Sequence, residues 1–385
     1  MPSHQGSGRD ELGAADVTDA QLAAMVADLL HQDDVELLDV EVSPVDYHLP
    51  AITTGGRWWV SGHAVTSCAK APFRLFVKQV QAWERSPLFQ FVPEEFREMA
   101  AASVPWKTEA EVYRADIAHR LPDGLTAPRA LGVFDLDAMS SSIWLEEVPT
   151  RPVTWDLPRY ERAAYLLGRF SGSPAMAPLA SLRDIDWTLT SYATGRLAVQ
   201  VVPMLMSEEI WQHPLCAVFD EELRTRLRTT AADSMDLAAE ADALPVLPSH
   251  GDACPNNLLA GDHDDDLVMI DFGFWGGAPV GFDLTQLLVG DVQIGKRSAE
   301  GLAELDEAIV TAYVAGLRAE GCDVPEAQVR RAHALCLLIM TGLSAAPFDL
   351  FEGPVNEDTM RQAADRAEVA RYALDLLEST AGQRT

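Results

Sequence analysis

Residues Leu247-Pro-Ser-His-Gly-Asp-Ala-Cys-Pro-Asn-Asn-Leu-Leu259 decide the reading of this chain, together with Leu267-Val-Met-Ile-Asp-Phe-Gly273 a short turn later. The pattern is an apolar strand that delivers a polar turn, followed by a short hairpin whose return strand ends on a carboxylate. His250, Asp252, Asn257 and Asp271 all fall at strand ends or turns. Two acids and an amide gathered by one hairpin suit a hard divalent cation and one general base. Mg²⁺ takes oxygen ligands, accepts one or two carboxylates and leaves its other positions to phosphate and water. The same set would hold a base against an attacking hydroxyl, and in-line phosphoryl transfer asks little more of side chains. An Asp/Asn-rich turn without chemistry has a similar composition, but order, spacing and apolar flanks together favour the chemical reading.

His250-Gly251-Asp252, with Asn257 five positions on and Asp271 beyond, resembles the catalytic and metal segments of the aminoglycoside phosphotransferase and choline kinase family. That family shares the protein-kinase fold, whose motifs place an Asp in the catalytic loop and an Asn and a second Asp on metal. The resemblance implies Asp252 as the base, Asn257 and Asp271 as Mg²⁺ ligands, and His250 as a brace of the loop. Asn256 sits one position early and reads as a turn residue. An α+β, two-lobed protein-kinase-like fold follows: an N-terminal β-rich lobe with one key helix, then a larger, mainly helical C-terminal lobe. ATP or GTP with Mg²⁺ would lie between them.

At 385 residues the chain is long enough for two lobes with a large core. A net charge of −30 argues against nucleic acid or an anionic membrane as partner. It favours a cationic small molecule, such as an aminoglycoside. No apolar run approaches a membrane span, and the first residues lack the pattern of a secretory signal, so a cytoplasmic protein is expected. Cys68, Cys216, Cys254, Cys322 and Cys336 are scattered without a Cys-x-x-Cys pair, so neither a zinc site nor a disulfide framework is indicated. Cys254, inside the decisive stretch, reads as a packing residue.

Residues 1–16 are polar and Gly-rich and read as a disordered tail. Residues 17–148 read as the nucleotide-binding lobe and 149–385 as the catalytic and acceptor-binding lobe, with Pro149, Pro152 and Pro158 punctuating the boundary. A helix is expected over residues 19–30, a strand over 35–42, a glycine turn entering a β-rich run over 52–65, a strand over 73–80, and two more within 130–148. Lysine occurs only at Lys70, Lys78, Lys107 and Lys296, and Lys78 alone lies inside a strand pattern. The resemblance makes Lys78 the phosphate-binding lysine, Gly55 and Gly56 a turn over the phosphates, and Glu147 and Val148 the hinge that meets the adenine.

The helix expected over residues 108–121 carries two glutamates. Tyr113, Ile117 and Leu121 form an i, i+4 stripe that Glu109 shares. Thr108 and Glu111 have capping-box spacing, which gives Glu111 a structural task. Lys78 is therefore paired with Glu109, with Glu111 as the alternative. Residues 160–170 and 218–244 read as helices, the second long, and the block from Asp184 to Pro214 belongs to a region that helps form the acceptor pocket in the family. The acidic run of residues 262–266 begins like a calcium loop but has Leu267 where Gly is needed and Gly273 where Glu is needed. It reads as a solvated hairpin tip. Asp283 opens a helix at the position where the family braces the catalytic loop, and Trp275 is either a pocket wall or core. The C-terminal part reads as three helices with a break near residues 345–349.

These readings imply a phosphotransferase that moves the γ-phosphate onto a small-molecule hydroxyl, an antibiotic or other sugar first and an amino alcohol such as choline second. The His-Arg-Asp and Ala-Pro-Glu forms of protein kinases are absent from the chain. A catalytically silent nucleotide-binding module is the rival, and intact Asp252, Asn257 and Asp271 argue against it.

Overall fold

Alternating apolar residues build the first layer. The computed structural model describes residues 8–46, 51–67, 69–261 and 266–383. After helix α1 (Asp19–Leu29) come strands β1 (Glu36–Pro44), β2 (Thr54–Val65) and β3 (Lys70–Gln81). Helices α2 (Arg97–Ser103) and α3 (Thr108–Arg114) follow, then strands β4 (Leu125–Thr126), β5 (Ala130–Asp137) and β6 (Ser140–Glu146). Five of these strands form an antiparallel sheet in the order β1-β2-β3-β6-β5, so β3 is central and Lys78 stands between Arg57 and Ile143. Side chains alternate across a strand. Leu75 and Val77 of β3 accordingly join α1 residues Leu22, Met25 and Val26 on one face. Lys78 shares the opposite face with Val80, which packs into the core that holds Val112 and Tyr113 of α3.

The second layer is mainly helical: α4 (Leu157–Gly172), α5 (Leu189–Tyr192), α6 (Val202–Met206), α7 (Glu221–Ala232) and α8 (Ser234–Asp242), then α9 (Phe282–Gln293), α10 (Leu302–Ala319), α11 (Glu326–Leu337) and α12 (Glu357–Thr380). Between α8 and α9 lie the short strands β7 (Val246–Ser249), β8 (Leu258–Ala260), β9 (Leu267–Met269) and β10 (Gly276–Pro279). β8 and β9 form the expected antiparallel hairpin, β4 adds to β9 in parallel, and β7 pairs with β10. The fold is thus the α+β arrangement expected, a β-sheet lobe followed by a helical one. Among the described residues no helix is long and apolar enough to cross a membrane.

Several expectations need correction. Gly8–Ala15, placed in the tail, forms two short 3₁₀ pieces that meet at a kink at Gly13, and Leu12 and Ala15 are buried. The helix expected over residues 108–121 stops at Arg114, because Asp116 takes a left-handed conformation at φ 59° and only a 3₁₀ turn, Ile117–His119, follows. The long helix over residues 218–244 is two helices that meet at Asp233. Gly55 and Gly56 do not form a turn: they lie inside the start of β2, at a register irregularity against β3. Residues 262–265 of the acidic run, and Cys68, lie outside the described residues.

Candidate active site

The hairpin brings the polar residues together as its spacing suggested. Leu258 pairs with Met269, and one step further the Ile270 N–H donates to the Asn257 carbonyl at 3.1 Å. Asn257 and Asp271 therefore leave the hairpin at the same end. Asn257 Nδ2 donates to the Asp252 carbonyl at 2.9 Å and to Asp252 Oδ2 at 3.0 Å, which ties the amide to the candidate base.

The loop holding Asp252 is braced from beneath. Asp283, buried at the start of α9, accepts from Ser249 Oγ at 2.8 Å and from the backbone N–H groups of His250 and Gly251 at 2.9 Å each. His250 is fully buried, with Nε2 2.9 Å from the Ile270 carbonyl and Nδ1 accepting from the Asp252 N–H at 3.3 Å. His250 therefore ties the Asp252 loop to the strand leading into Asp271. Gly251 has φ 86°, and a Cβ there would stand 2.0 Å from the Phe274 carbonyl oxygen, so only glycine fits between the two loops.

From the sheet, Lys78 Nζ lies 2.6 Å from Glu109 Oε2 and 2.8 Å from Asp271 Oδ1. Burial alone would lower the Lys78 pKa, but the carboxylates of Asp271 and Glu109 hold it above its ordinary value. Burial raises Glu109 despite its lysine partner. For Asp271 burial is outweighed by the Lys78 ammonium and by Arg57, and its pKa falls. Asp271 has φ 64°, an uncommon conformation for a residue with a side chain. Burial pushes the Asp252 carboxyl up to about 6, with Asp271 and Asp283 adding repulsion and His250 and Asn257 opposing it.

Glu111 takes the structural part, pairing with Arg114 at 2.8 Å and Lys107 at 3.5 Å. It makes no capping box, for reasons that involve Asp184. Glu147 and Val148 follow directly on β6, and Glu147 pairs with Arg74, which lies over the Trp59 ring. Trp275 is core: it is fully buried, its Nε1 donates to the Leu179 carbonyl at 2.8 Å, and its ring meets Phe170 and Phe272 edge-on. Burial pushes the Cys254 thiol up to about 12, which suits packing and not nucleophilic attack. Arg57, beside Lys78 on β2, was not singled out by the sequence, since a lone strand arginine carries no motif.

No curated protein matches the chain. Residues 158–322 match the model of the phosphotransferase enzyme family. Among solved structures, a Ralstonia eutropha protein assigned to the aminoglycoside phosphotransferases superposes with a TM-score of 0.51 at 12% identity, over 93% of this chain and 98% of that one. The aminoglycoside phosphotransferase of Alicyclobacillus acidocaldarius gives 0.49 at 17%, over 87% and 92%. That of Streptomyces rimosus, in complex with ADP and streptomycin, gives 0.40 at 17%, over 78% and 92%. At such identities the likeness is one of fold, and the Ralstonia structure carries it. The family match bears out the resemblance that His250-Gly251-Asp252, Asn257 and Asp271 suggested.

Proposed function

We infer that this phosphotransferase, a small-molecule kinase by the family it matches, moves the γ-phosphate of ATP or GTP to an acceptor hydroxyl. An aminoglycoside-like or other sugar hydroxyl ranks first as acceptor. The observation that carries this reading is one buried ammonium, Lys78, clasped by Glu109 and Asp271, the latter at the hairpin end shared with Asn257, which holds Asp252. A lysine so fixed is a point charge for phosphate oxygens. Charge near transferring phosphoryl oxygens lowers the barrier because it needs no rearrangement during reaction.

The donor set also fits Mg²⁺. Asn257 and Asp271 offer hard oxygen atoms from adjacent backbone positions, and the Asp271 side chain remains about one-third exposed at 36%. These two would hold the ion together with phosphate oxygens, and bound Mg²⁺ would supply positive charge to the phosphates. Asp252 accepts the acceptor hydroxyl's proton while its oxygen bonds to the γ-phosphorus and the bond to the bridging oxygen breaks, leaving the nucleoside diphosphate. Asn257 keeps the Asp252 carboxylate aimed, and Asp283 keeps its loop in place. Backbone groups at Glu147 and Val148, just past β6, would meet the adenine or guanine edge.

The net charge of −30 supports a cationic acceptor. The test is ADP and GDP release with Mg²⁺ across aminoglycosides, other antibiotics, sugars and amino alcohols, beside Asp252→Ala. Release that needs one acceptor and Asp252 supports the reading and names the substrate class. Tight nucleotide binding with no release from any acceptor would instead favour a silent nucleotide-binding module.

A further inference from the structure

Two consecutive residues of the helical lobe, Arg183 and Asp184, reach different halves of the site. The Asp184 carboxylate receives the Thr108 hydroxyl at 2.5 Å and the backbone N–H groups of Lys107 at 3.1 Å and Trp106 at 3.4 Å. The Asp184 N–H donates back to Thr108 Oγ1 at 3.1 Å. Thr108 is fully buried, and α3 starts there with no side-chain cap of its own. Asp184 thus satisfies donors that the opening of α3 leaves unpaired and adds charge where a helix N-terminus favours it. The neighbour of Thr108 on that helix is Glu109, the partner of Lys78.

Arg183 turns the other way. Its guanidinium donates to the carbonyls of Phe274 at 2.7 Å, Trp275 at 2.9 Å and Gly277 at 3.4 Å. It lies over the Trp187 ring at 4.9 Å. These carbonyls belong to the segment that follows Asp271. Gly276 has φ 157°, and a Cβ there would stand 2.6 Å from the Arg183 Cζ, so the segment is shaped around the guanidinium. The Phe274 carbonyl is also the atom that abuts Gly251 of the Asp252 loop.

We propose that Arg183–Asp184 is a strap of positioning residues that sets α3, and so Glu109 and Lys78, in register with the Asp271 segment. The inference rests on the phosphotransferase reading for its function. In it, the site binds nucleotide well only while Asp184 holds α3 against the helical lobe. Neither residue touches the reacting atoms, and neither lies in the decisive motif. Among the described residues the N-cap of α3, Lys107, supplies no side-chain cap, so loosening Asp184 frees Glu109 to swing away from Lys78.

The test measures binding of Mg²⁺ with a non-hydrolysable ATP analogue by calorimetry, and hydrogen exchange across the chain. It compares the full-length wild type with Asp184→Ala, Thr108→Val and the double variant. Each single variant should weaken binding about 5- to 30-fold, the scale of one lost charged hydrogen bond. The double variant should be no worse than the weaker-binding single, because the two side chains form one unit. Exchange should rise in residues 108–114 and stay unchanged in α4 and α10, and Asp184→Glu should recover part of the binding. Unchanged affinity in the singles, losses that multiply in the double, or exchange rising throughout the helical lobe would each overturn the strap. A wild type that binds no Mg²⁺-nucleotide would instead overturn the phosphotransferase reading, which separates the two failures.

Discussion

Lys78 and Glu109 come from separate elements, the central strand and the short helix α3, yet their charged atoms lie 2.6 Å apart with both side chains almost fully buried. A buried pair of this kind is costly to halve, because the survivor keeps its desolvation without its partner. Lys78→Ala leaves Glu109 buried without its ammonium partner and still repelled by Asp271, where its pKa is already raised by burial, so it should take up a proton. We expect Lys78→Ala to cost about 3 kcal/mol of stability, at the lower end for a broken buried pair. Nucleotide release should fall at least 100-fold. Denaturant unfolding and ADP release measure the two separately, and an unchanged midpoint would show that the pair carries no structural weight.

Asp252 sets the acid side of the pH profile. Its carboxyl is pushed up to about 6, first by burial and then by Asp271 and Asp283. The base works as carboxylate, so the active form is present above that value and lost as pH falls through it. The kcat/KM profile should therefore drop tenfold per pH unit below about 6. Asp252→Asn should remove the limb and lower kcat by about 10²- to 10⁴-fold while nucleotide still binds. A limb near 4 in the wild type would mean that Asp252 titrates as an ordinary surface carboxylate.

The hairpin was legible because its chemistry is local: a strand, a polar turn and a return strand fix Asp252, Asn257 and Asp271 within one short stretch. Glu109 was legible for a similar reason, since helical spacing within α3 places it on the face of buried Tyr113. Thr108 was misread. Its Ser/Thr-x-x-Glu spacing suggested a cap from Glu111, but the hydroxyl goes to Asp184, 76 positions away. Local spacing has no access to such a partner. Arg57 was invisible because its influence on Asp271 and Glu109 comes from sheet register with Lys78. Gly55 and Gly56 were placed one element too early, since a Gly-Gly pair looks alike in a turn and at an irregular strand start.

The helical lobe holds a second buried acid whose effect falls on stability. Asp306 on α10 lies 2.7 Å from His333 Nε2 on α11 and accepts from the Tyr372 hydroxyl on α12 at 2.7 Å. Burial would raise its pKa, but His333 and Tyr372 outweigh that and lower it. A carboxylate with a lowered folded pKa adds stability that is full above its unfolded value, about 3.9, and is lost as pH falls through the folded value. Unfolding free energy measured from pH 7 to pH 2 should fall less steeply for Asp306→Asn than for the wild type below pH 4. Parallel curves would show that Asp306 titrates alike in both states.

Asp283 should separate positioning from chemistry. Its carboxylate accepts three hydrogen bonds from Ser249, His250 and Gly251, just before Asp252 in the chain. Asp283→Ala strands the His250 N–H group without an acceptor, at about 1–3 kcal/mol for a buried group, and leaves the Gly251 N–H with only Ser249 Oγ at 3.1 Å. The Asp252 loop then loses its fixed approach to the acceptor, and misplacement on the ångström scale costs about 100-fold in rate. The lysine ion pairs are untouched, since Lys78, Glu109 and Asp271 make their contacts without Asp283. kcat should therefore fall about 100-fold while the KM for nucleotide changes less than about threefold. Asp283→Asn, which keeps one acceptor oxygen, should recover part of kcat. A rise in nucleotide KM that matches the loss in kcat would place the role of Asp283 in overall folding, not in the aim of Asp252.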